Sequence, residues 1–385
     1  MGVKNRVLLT LALLWLLAAV LLPFVNYAPN RLMSGQGIGL LSVLGGMRLL
    51  ILVPAFGIGL LCFVTPSRPA RLAAILLAET LLFCLVALAG HSATELAQPA
   101  GAALARTSFG SGFWLMSALC LLMAADAIGR LVDNPALRVL VNAQLWLPLV
   151  GLVLTGRLDR LSLFIEYANR QDMFQRALAE HLTLLFGTLA PAMIIGIPLG
   201  LLCHRSPRWR PALFSSLNII QTIPAIALFG LLIAPLSSLA ASWPWLRAAG
   251  IGGIGLAPAL IALVLYALLP LVRSVNAGLQ QVPAEVIETA QGMGMTQGQI
   301  FWRVEIPLAL PVMLSGIRII AVQTVGMSMI AALIGAGGFG ALMFQGLLSS
   351  ALELVLLGVM PAIALAVLVD ALFKLIISLL ETVRR

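Results

Sequence analysis

The chain is dominated by runs of about twenty apolar residues with almost no charge inside them, the length an α-helix needs to cross a bilayer. Ten such runs are expected as spans, at 7–25, 38–64, 72–90, 111–129, 138–155, 181–203, 212–238, 254–272, 311–335 and 352–378. Inside hydrocarbon each span must satisfy its own backbone polar groups, so the expected fold is all-α, a polytopic membrane protein with about ten transmembrane helices. The second and seventh runs carry Pro54, and Pro224 with Pro235, and are expected to be kinked, tilted or partly re-entrant. Composition agrees: 61% of the 385 residues are hydrophobic and 10% charged, where soluble domains carry roughly 45–50% and about 25%.

The net charge of +9 does not indicate nucleic acid, because the basic residues come in twos and threes at the ends of apolar runs. In a membrane chain such an excess records topology. An N-terminus on the cytoplasmic side puts most basic residues there too, among them Lys4, Arg6, Arg68, Arg71, Arg130, Arg205, Arg208, Arg210, Lys374, Arg384 and Arg385. Arg31 and Arg106 fall outside, as do the arginines of segment 156–180, where Asp159, Glu166, Asp172 and Glu180 offset them. Both termini are therefore expected to be cytoplasmic. The first run is too long for a signal-peptide core and is expected to be a retained span. The four cysteines have no CxxC neighbour and are expected to be small buried hydrophobes, without disulfide or metal.

Segment 156–180 divides the chain. Residues 1–155 form a five-span extension without a recognisable motif. In 156–180, Leu161, Phe164, Ile165, Tyr167 and Ala168 alternate with charge, as in an amphipathic connector lying on the outer surface. Residues 181–385 form the last unit, with a cytoplasmic loop at 274–311.

That loop is the longest polar stretch on the cytoplasmic side. Pro283 followed by Glu285 and Glu288 reads as a helix start, since proline suits the first turn and acids suit the positive end of the dipole. Gly292 and Gly294 are expected to stop it. A second helical pattern from Gln297 to Val304, including Arg303, is expected to end at Pro307 and Pro311.

The segment resembles the coupling loop of ABC-importer permeases: Glu-Ala-Ala, three residues, Gly, nine residues, an aliphatic residue, one residue, Leu-Pro. Here Glu288, Thr289, Ala290, Gly294, Val304, Ile306 and Pro307 hold that spacing, with Thr289 for Ala and Ile306 for Leu. The resemblance implies that Ala290 is small so that a helix can sit in an ATPase cleft, that Gly294 allows the turn, and that Glu288 anchors. It extends over roughly 175–382: Gln221-Thr222-Ile223-Pro224-Ala225, the run Gly255–Leu263 and Ile334–Gly340 look like permeases for glycine betaine, choline and carnitine. The extra N-terminal spans look like the YehY-type permeases by length and span number. The resemblance implies a type I ABC-importer permease core in the C-terminal half, in a bacterial inner membrane. The implied partners are a cytoplasmic ABC ATPase, a periplasmic substrate-binding protein, and a second permease copy or a shorter paralogous permease, with membrane lipid around them. The chain itself would hold no cofactor, ATP being bound by the partner, and would be a transport subunit rather than an enzyme.

Polar residues inside spans are candidate functional positions. Gln221 and Thr222 beside Pro224, and Gln323, Thr324, Met327 and Ser328 in the ninth run, are candidates to line the translocation path, with helix-to-helix packing as the alternative. Glu79 and Arg48 differ too much in depth to pair, and Arg48 is expected to reach outward. Asp126–Arg130 and Asp370–Lys374 are expected to be local i,i+4 pairs. The glycine runs 250–255 and 335–340 match a dinucleotide fingerprint but follow no strand, and are expected to be helix junctions. No catalytic set, metal site or P-loop is present in the sequence. The alternatives are a permease for an amino acid such as methionine, an ion-driven transporter using Glu79, and a membrane scaffold.

Overall fold

A computed structural model describes residues 2–30, 33, 35–45, 48–98, 105–248 and 250–382. Arg31, Arg384, Arg385 and the side chain of Arg48 lie outside the described residues. Two compact units make up the chain, Met1–Asn169 and Arg170–Arg385.

The first unit contains α1 (Arg6–Leu21), β1 (Pro23–Ala28), β2 (Gln36–Gly39), α2 (Leu40–Val43), α3 (Arg48–Leu61), α4 (Arg68–Leu96), β3 (Arg106–Phe109), α5 (Ser111–Leu131), α6 (Pro135–Gln144), α7 (Leu147–Leu154) and α8 (Ser162–Asn169). Asn5 caps α1, its side chain accepting the Leu8 N–H at 3.1 Å. Pro23 ends it: the residue before a proline is driven out of the helical region, and Leu22 sits at φ −106°, ψ 147°. The first expected span is therefore a 16-residue helix running into a strand. The second is interrupted at Leu44 and Gly45, where Gly45 has φ +43°, while Pro54 lies inside α3. Strands β2, β1 and β3 form a small antiparallel sheet with β1 in the middle, an element the apolar runs concealed. It sits on the start of α5, where Phe109 stacks on Phe113 at 4.1 Å and Phe24 meets Phe113 edge-on at 5.9 Å.

The second unit contains α9 (Gln171–Arg205), α10 (Arg210–Thr222), α11 (Ala225–Ser242), α12 (Pro244–Ala248), α13 (Leu256–Gln280), α14 (Ala284–Gly292), α15 (Gln297–Ile300), α16 (Ile306–Ala331), α17 (Phe339–Leu348) and α18 (Leu352–Thr382). Residues 171–180, in the segment expected as a connector, are the opening turns of the 35-residue α9. Among the described residues eight helices are long and apolar enough to cross a membrane, with α6 and α7 counted together; α1, α3 and α17 are shorter apolar helices.

α13 is the hub of this unit, packed between α9 and α16, with Ala259, Ala262, Leu271, Val272 and Val275 fully buried. Lipid supplies no hydrophobic drive between helices, so close backbone approach through small residues must do the work. A Cβ on Gly200 would come 2.5 Å from Val275 Cβ, so only glycine fits that crossing. On the other flank Ser274 donates its hydroxyl to the Val312 carbonyl at 2.7 Å, and Gly316 leaves the space that Ser274 fills. α16 and α18 are tied by Arg318 to Asp370 at 3.4 Å, with Lys374 on the same carboxylate at 2.6 Å; Asp126–Arg130 forms at 3.0 Å in the first unit.

Candidate coupling loop and helix break

Between α13 and α16 the chain folds into a short helical hairpin whose shape is set by local rules. Pro283 caps α14 in an extended conformation (φ −63°, ψ 135°). At its far end the Gly294 N–H donates to the Gln291 carbonyl at 2.9 Å and the Met295 N–H to the Ala290 carbonyl at 3.2 Å. With Gly294 at φ +80° this is a Schellman stop, for which the left-handed residue is best glycine. Gly292 is the last helical residue of α14, so Gly294 alone makes the stop. Thr296 then opens α15 through a capping box: its N–H donates to Gln299 Oε1 at 2.9 Å and its hydroxyl accepts the Gln299 N–H at 3.4 Å.

Pro307 and Pro311 do not end the second helix. Helical structure runs on from Gln297 to Ile334, and Phe301–Glu305 is wound as a π-segment in which the Ile306 N–H reaches the Phe301 carbonyl. Pro307 has no N–H to give the Arg303 carbonyl, and a locally wider turn accommodates the missing bond and the ring. The hairpin is thereby continuous with the spanning helix α16.

The hairpin's burial pattern adds an internal role for one motif residue. Ala290 is only 2% exposed within the chain itself. Its small side chain lets α14 close onto α15 and the π-segment, where Ile300 and Phe301 are buried. The outward surface includes Glu285, Glu288, Thr289, Gly292, Gly294 and Arg303. Thr289 returns its hydroxyl to the Glu285 carbonyl at 2.7 Å. Glu288 makes no ion pair among the described residues. Beside these lie Met293 and Trp302, 71% and 69% exposed, and Val286. Exposed apolar side chains rimmed by charge mark an interaction surface, for a protein or for a membrane. Their residue types are plain in the sequence, but only the helix phase shows Trp302 turning outward as Phe301 turns in. The hairpin's base is held by Arg205, at the end of α9, whose guanidinium lies 4.6 Å from the Phe301 ring centroid.

The other candidate region is the interruption between α10 and α11 at Ile223 and Pro224. Pro235, by contrast, lies inside α11. Gln221 donates its amide to the Tyr266 backbone carbonyl at 2.8 Å, and the Tyr266 hydroxyl donates to the Ile223 carbonyl. The freed carbonyl at the break is thus satisfied by α13. Tyr266 is a residue the sequence did not single out; an isolated hydroxyl in a span was its only signal. Thr222 is exposed and bonds back to the Ile219 carbonyl at 2.7 Å. In α16, Gln323 donates to Met327 Sδ at 3.5 Å, while Thr324 and Ser328 are buried and donate to carbonyls four residues back, both at 2.7 Å. Met327 and Ile223 both pack against the buried cluster that contains Phe229 and Tyr266, so the break and the middle of α16 share one cluster. Thr324 and Ser328 face that interior packing.

At the opposite end of α13 the two glycine runs meet: the Gly255 N–H donates to the Ile334 carbonyl at 2.7 Å, and Glu180 of α9 accepts the Gly338 N–H at 2.7 Å at the start of α17. They are close-packed junctions.

The second unit is thus a bundle of long apolar helices, two of which are joined by an ordered helical hairpin. Residues 192–381 match the family described as the binding-protein-dependent transport system inner membrane component, and residues 4–164 match the N-terminal domain of the ABC transporter permease YehY. The osmoprotectant import permease protein OsmW of Salmonella typhimurium is 40% identical over 191 residues, 50% of this chain and 84% of the relative. The carnitine transport permease protein OpuCB of Listeria monocytogenes is 35% identical over 191 residues, 50% of this chain and 80% of the relative. An inward-facing structure of the MetNI methionine ABC transporter aligns at 24% identity with a TM-score of 0.48, covering 55% of this chain and 98% of that one. The chain belongs to the family of binding-protein-dependent ABC-importer permeases, multi-pass proteins of the inner membrane.

Proposed function

We propose that this chain is the permease subunit of an ATP-driven importer for glycine betaine or a related quaternary-ammonium osmoprotectant, and that the hairpin 284–305 is where a cytoplasmic ABC ATPase docks. The observation that carries the docking role is the hairpin itself, a locally specified element that exposes Glu285, Glu288, Met293 and Trp302 and continues without a break into a spanning helix. Force applied to α14 is passed through the π-segment to α16, and through Arg205 on Phe301 to α9. Closure of an ATPase pair on two such hairpins would then switch access between the two faces of the membrane. In this reading the hairpin and both termini are cytoplasmic, which the basic residues Arg205, Arg208, Arg210 and Arg303 support for the hairpin end and Lys4 and Arg6 for the N-terminus.

Two permease cores, from a second copy or a shorter paralogue, would enclose the path, and a periplasmic binding protein would deliver substrate. The substrate class rests on the relatives, which act on osmoprotectants and carnitine. A binding protein recognises a quaternary ammonium through aromatic faces. No nucleotide or metal is assigned to this chain. In the path, Gln221, Pro224, Gln323 and Met327 remain proposed, with Thr222 at the exposed edge of the break. Thr324 and Ser328 act as packing groups in this conformation and would meet substrate only if α16 rotates.

An ion-driven mechanism would favour an unsatisfied acid in mid-span. Glu79 accepts the Gln144 amide at 3.2 Å, a structural bond between α4 and α6. The test is uptake of labelled glycine betaine by cells lacking other osmolyte importers. The native chain restores uptake and Glu288→Lys abolishes it at equal membrane abundance. Undiminished uptake by Glu288→Lys would remove the hairpin from coupling, and native uptake of methionine in place of glycine betaine would overturn the substrate class.

A further inference from the structure

The first unit contains a cavity that the permease reading leaves unused. It has a volume of about 580 Å³, within the range of roughly 300–1,000 Å³ typical of small-ligand pockets. It lies between α3, α4 and α7. Ile51, Phe83, Cys84, Leu88 and Leu152 make apolar walls, and His91, Thr155 and Arg157 stand at one end. From Phe83 to His91 along α4 is eight residues, about 12 Å at 1.5 Å per residue. With the span expected at 72–90, Phe83 to Leu88 lie within the apolar run and His91 just past its end, so the cavity runs from the hydrocarbon toward headgroup level at the C-terminal end of α4.

Chemistry grades along that axis. The inner part offers dispersion contacts and no charge. The mouth offers one guanidinium, since Arg157 is exposed and forms no ion pair among the described residues, while the nearby carboxylate of Glu95 is occupied by His91 at 3.1 Å. Gly151 of α7 lines the space, and a Cβ built on it meets nothing within 4 Å. A well-packed helix contact would fill that position, as Leu271 and Val275 fill the space over Gly196 and Gly200.

We propose that this cavity holds one acyl chain of a membrane phospholipid, with the lipid phosphate paired to Arg157. An apolar slot opening at headgroup depth beside a single free guanidinium matches that ligand, because arginine pairs with phosphate through two parallel N–H donors. A permeating quaternary ammonium is excluded, as it would meet a like charge at the mouth. The assignment is independent of the ATPase and of the transported substrate.

Cys84 supplies the readout. It is half-buried in the cavity wall, whereas Cys62, Cys120 and Cys203 are at most 1% exposed. The full chain, purified and delipidated in detergent, is titrated with phosphatidylglycerol or with oleate while alkylation of Cys84 by N-ethylmaleimide is followed by mass spectrometry. Phosphatidylglycerol is expected to slow alkylation at least 10-fold. Arg157→Ala is expected to raise the concentration needed for that protection about 10-fold, and Gly151→Trp to slow alkylation with no lipid present. Gly151→Leu, a milder filling, does the same where the tryptophan variant fails to fold. Oleate protecting as well as phosphatidylglycerol would remove the phosphate from the assignment. Protection unchanged by Arg157→Ala, or alkylation unaffected by lipid, would overturn it.

Discussion

Two glycines two residues apart in the hairpin should respond to the same substitution with opposite signs. Gly294 sits at φ +80° as the left-handed residue of the stop, and a Cβ added there meets no atom within 4 Å. The cost of Gly294→Ala is therefore conformational alone, roughly 1–2 kcal/mol for an L-residue in the left-handed region. That corresponds to a shift of roughly 5–30-fold in the closed-to-open ratio of the turn. Gly292 is helical and equally free of neighbours, so Gly292→Ala should stabilise α14 by roughly 0.5–1 kcal/mol. Asparagine tolerates the left-handed region better than alanine, and Gly294→Asn should fall between Gly294→Ala and the native chain. Hydrogen exchange of peptides covering 284–305 in detergent reports the Met295 and Gly294 amides that close the turn. Exchange should rise roughly 5–30-fold for Gly294→Ala and fall or stay level for Gly292→Ala. ATP-dependent uptake should drop only in the first. Equal exchange in the two alanine variants would refute the assignment of the stop to Gly294.

Three further outcomes are expected. Arg205→Ala should weaken the seat of Phe301 by about 0.5–1 kcal/mol, the worth of a cation–π contact at an exposed site, and lower coupled ATPase activity; Arg205→Lys should recover part of it. Gly200→Ala should destabilise the α9–α13 crossing by roughly 1–3 kcal/mol in thermal unfolding in detergent, because its Cβ meets that of Val275, whereas Gly230→Ala, with open space around it, should not. Gln221→Ala should free the Tyr266 carbonyl and impair uptake more than Gln323→Ala, whose amide donates to the weak acceptor Met327 Sδ; uptake unchanged by both would sink a path role for this region.

Much of this was legible because membrane chains are written in long apolar runs. Residues 72–90 and 352–378 lie inside helices of 29 and 31 residues. What the runs hide is where a helix stops within an apolar stretch. Leu22 and Leu44 are as hydrophobic as their neighbours, and only the backbone preference before Pro23 and the freedom of Gly45 end those helices. The sheet was illegible for a related reason: four- to six-residue strands are too short for a two-residue alternation to stand out. Prolines misled in the other direction. Pro307 and Pro311 sit within helical structure, Pro307 next to a π-segment that absorbs its missing donor. The hairpin's spacing was visible from Glu288 to Pro307, but spacing does not give burial. Ala290 looks inward, and the outward apolar groups, Met293 and Trp302, belong to no motif position.

In the proposed mechanism substrate moves on the energy of ATP hydrolysed by the partner and transmitted through the hairpin. Vesicles reconstituted with the chain, its ATPase and its binding protein, loaded with ATP or given only a sodium or proton gradient, test it directly. Labelled glycine betaine should accumulate with ATP alone and fail to do so when Glu288→Lys replaces the native chain. Accumulation that persists without ATP and collapses with the ion gradient would contradict the account.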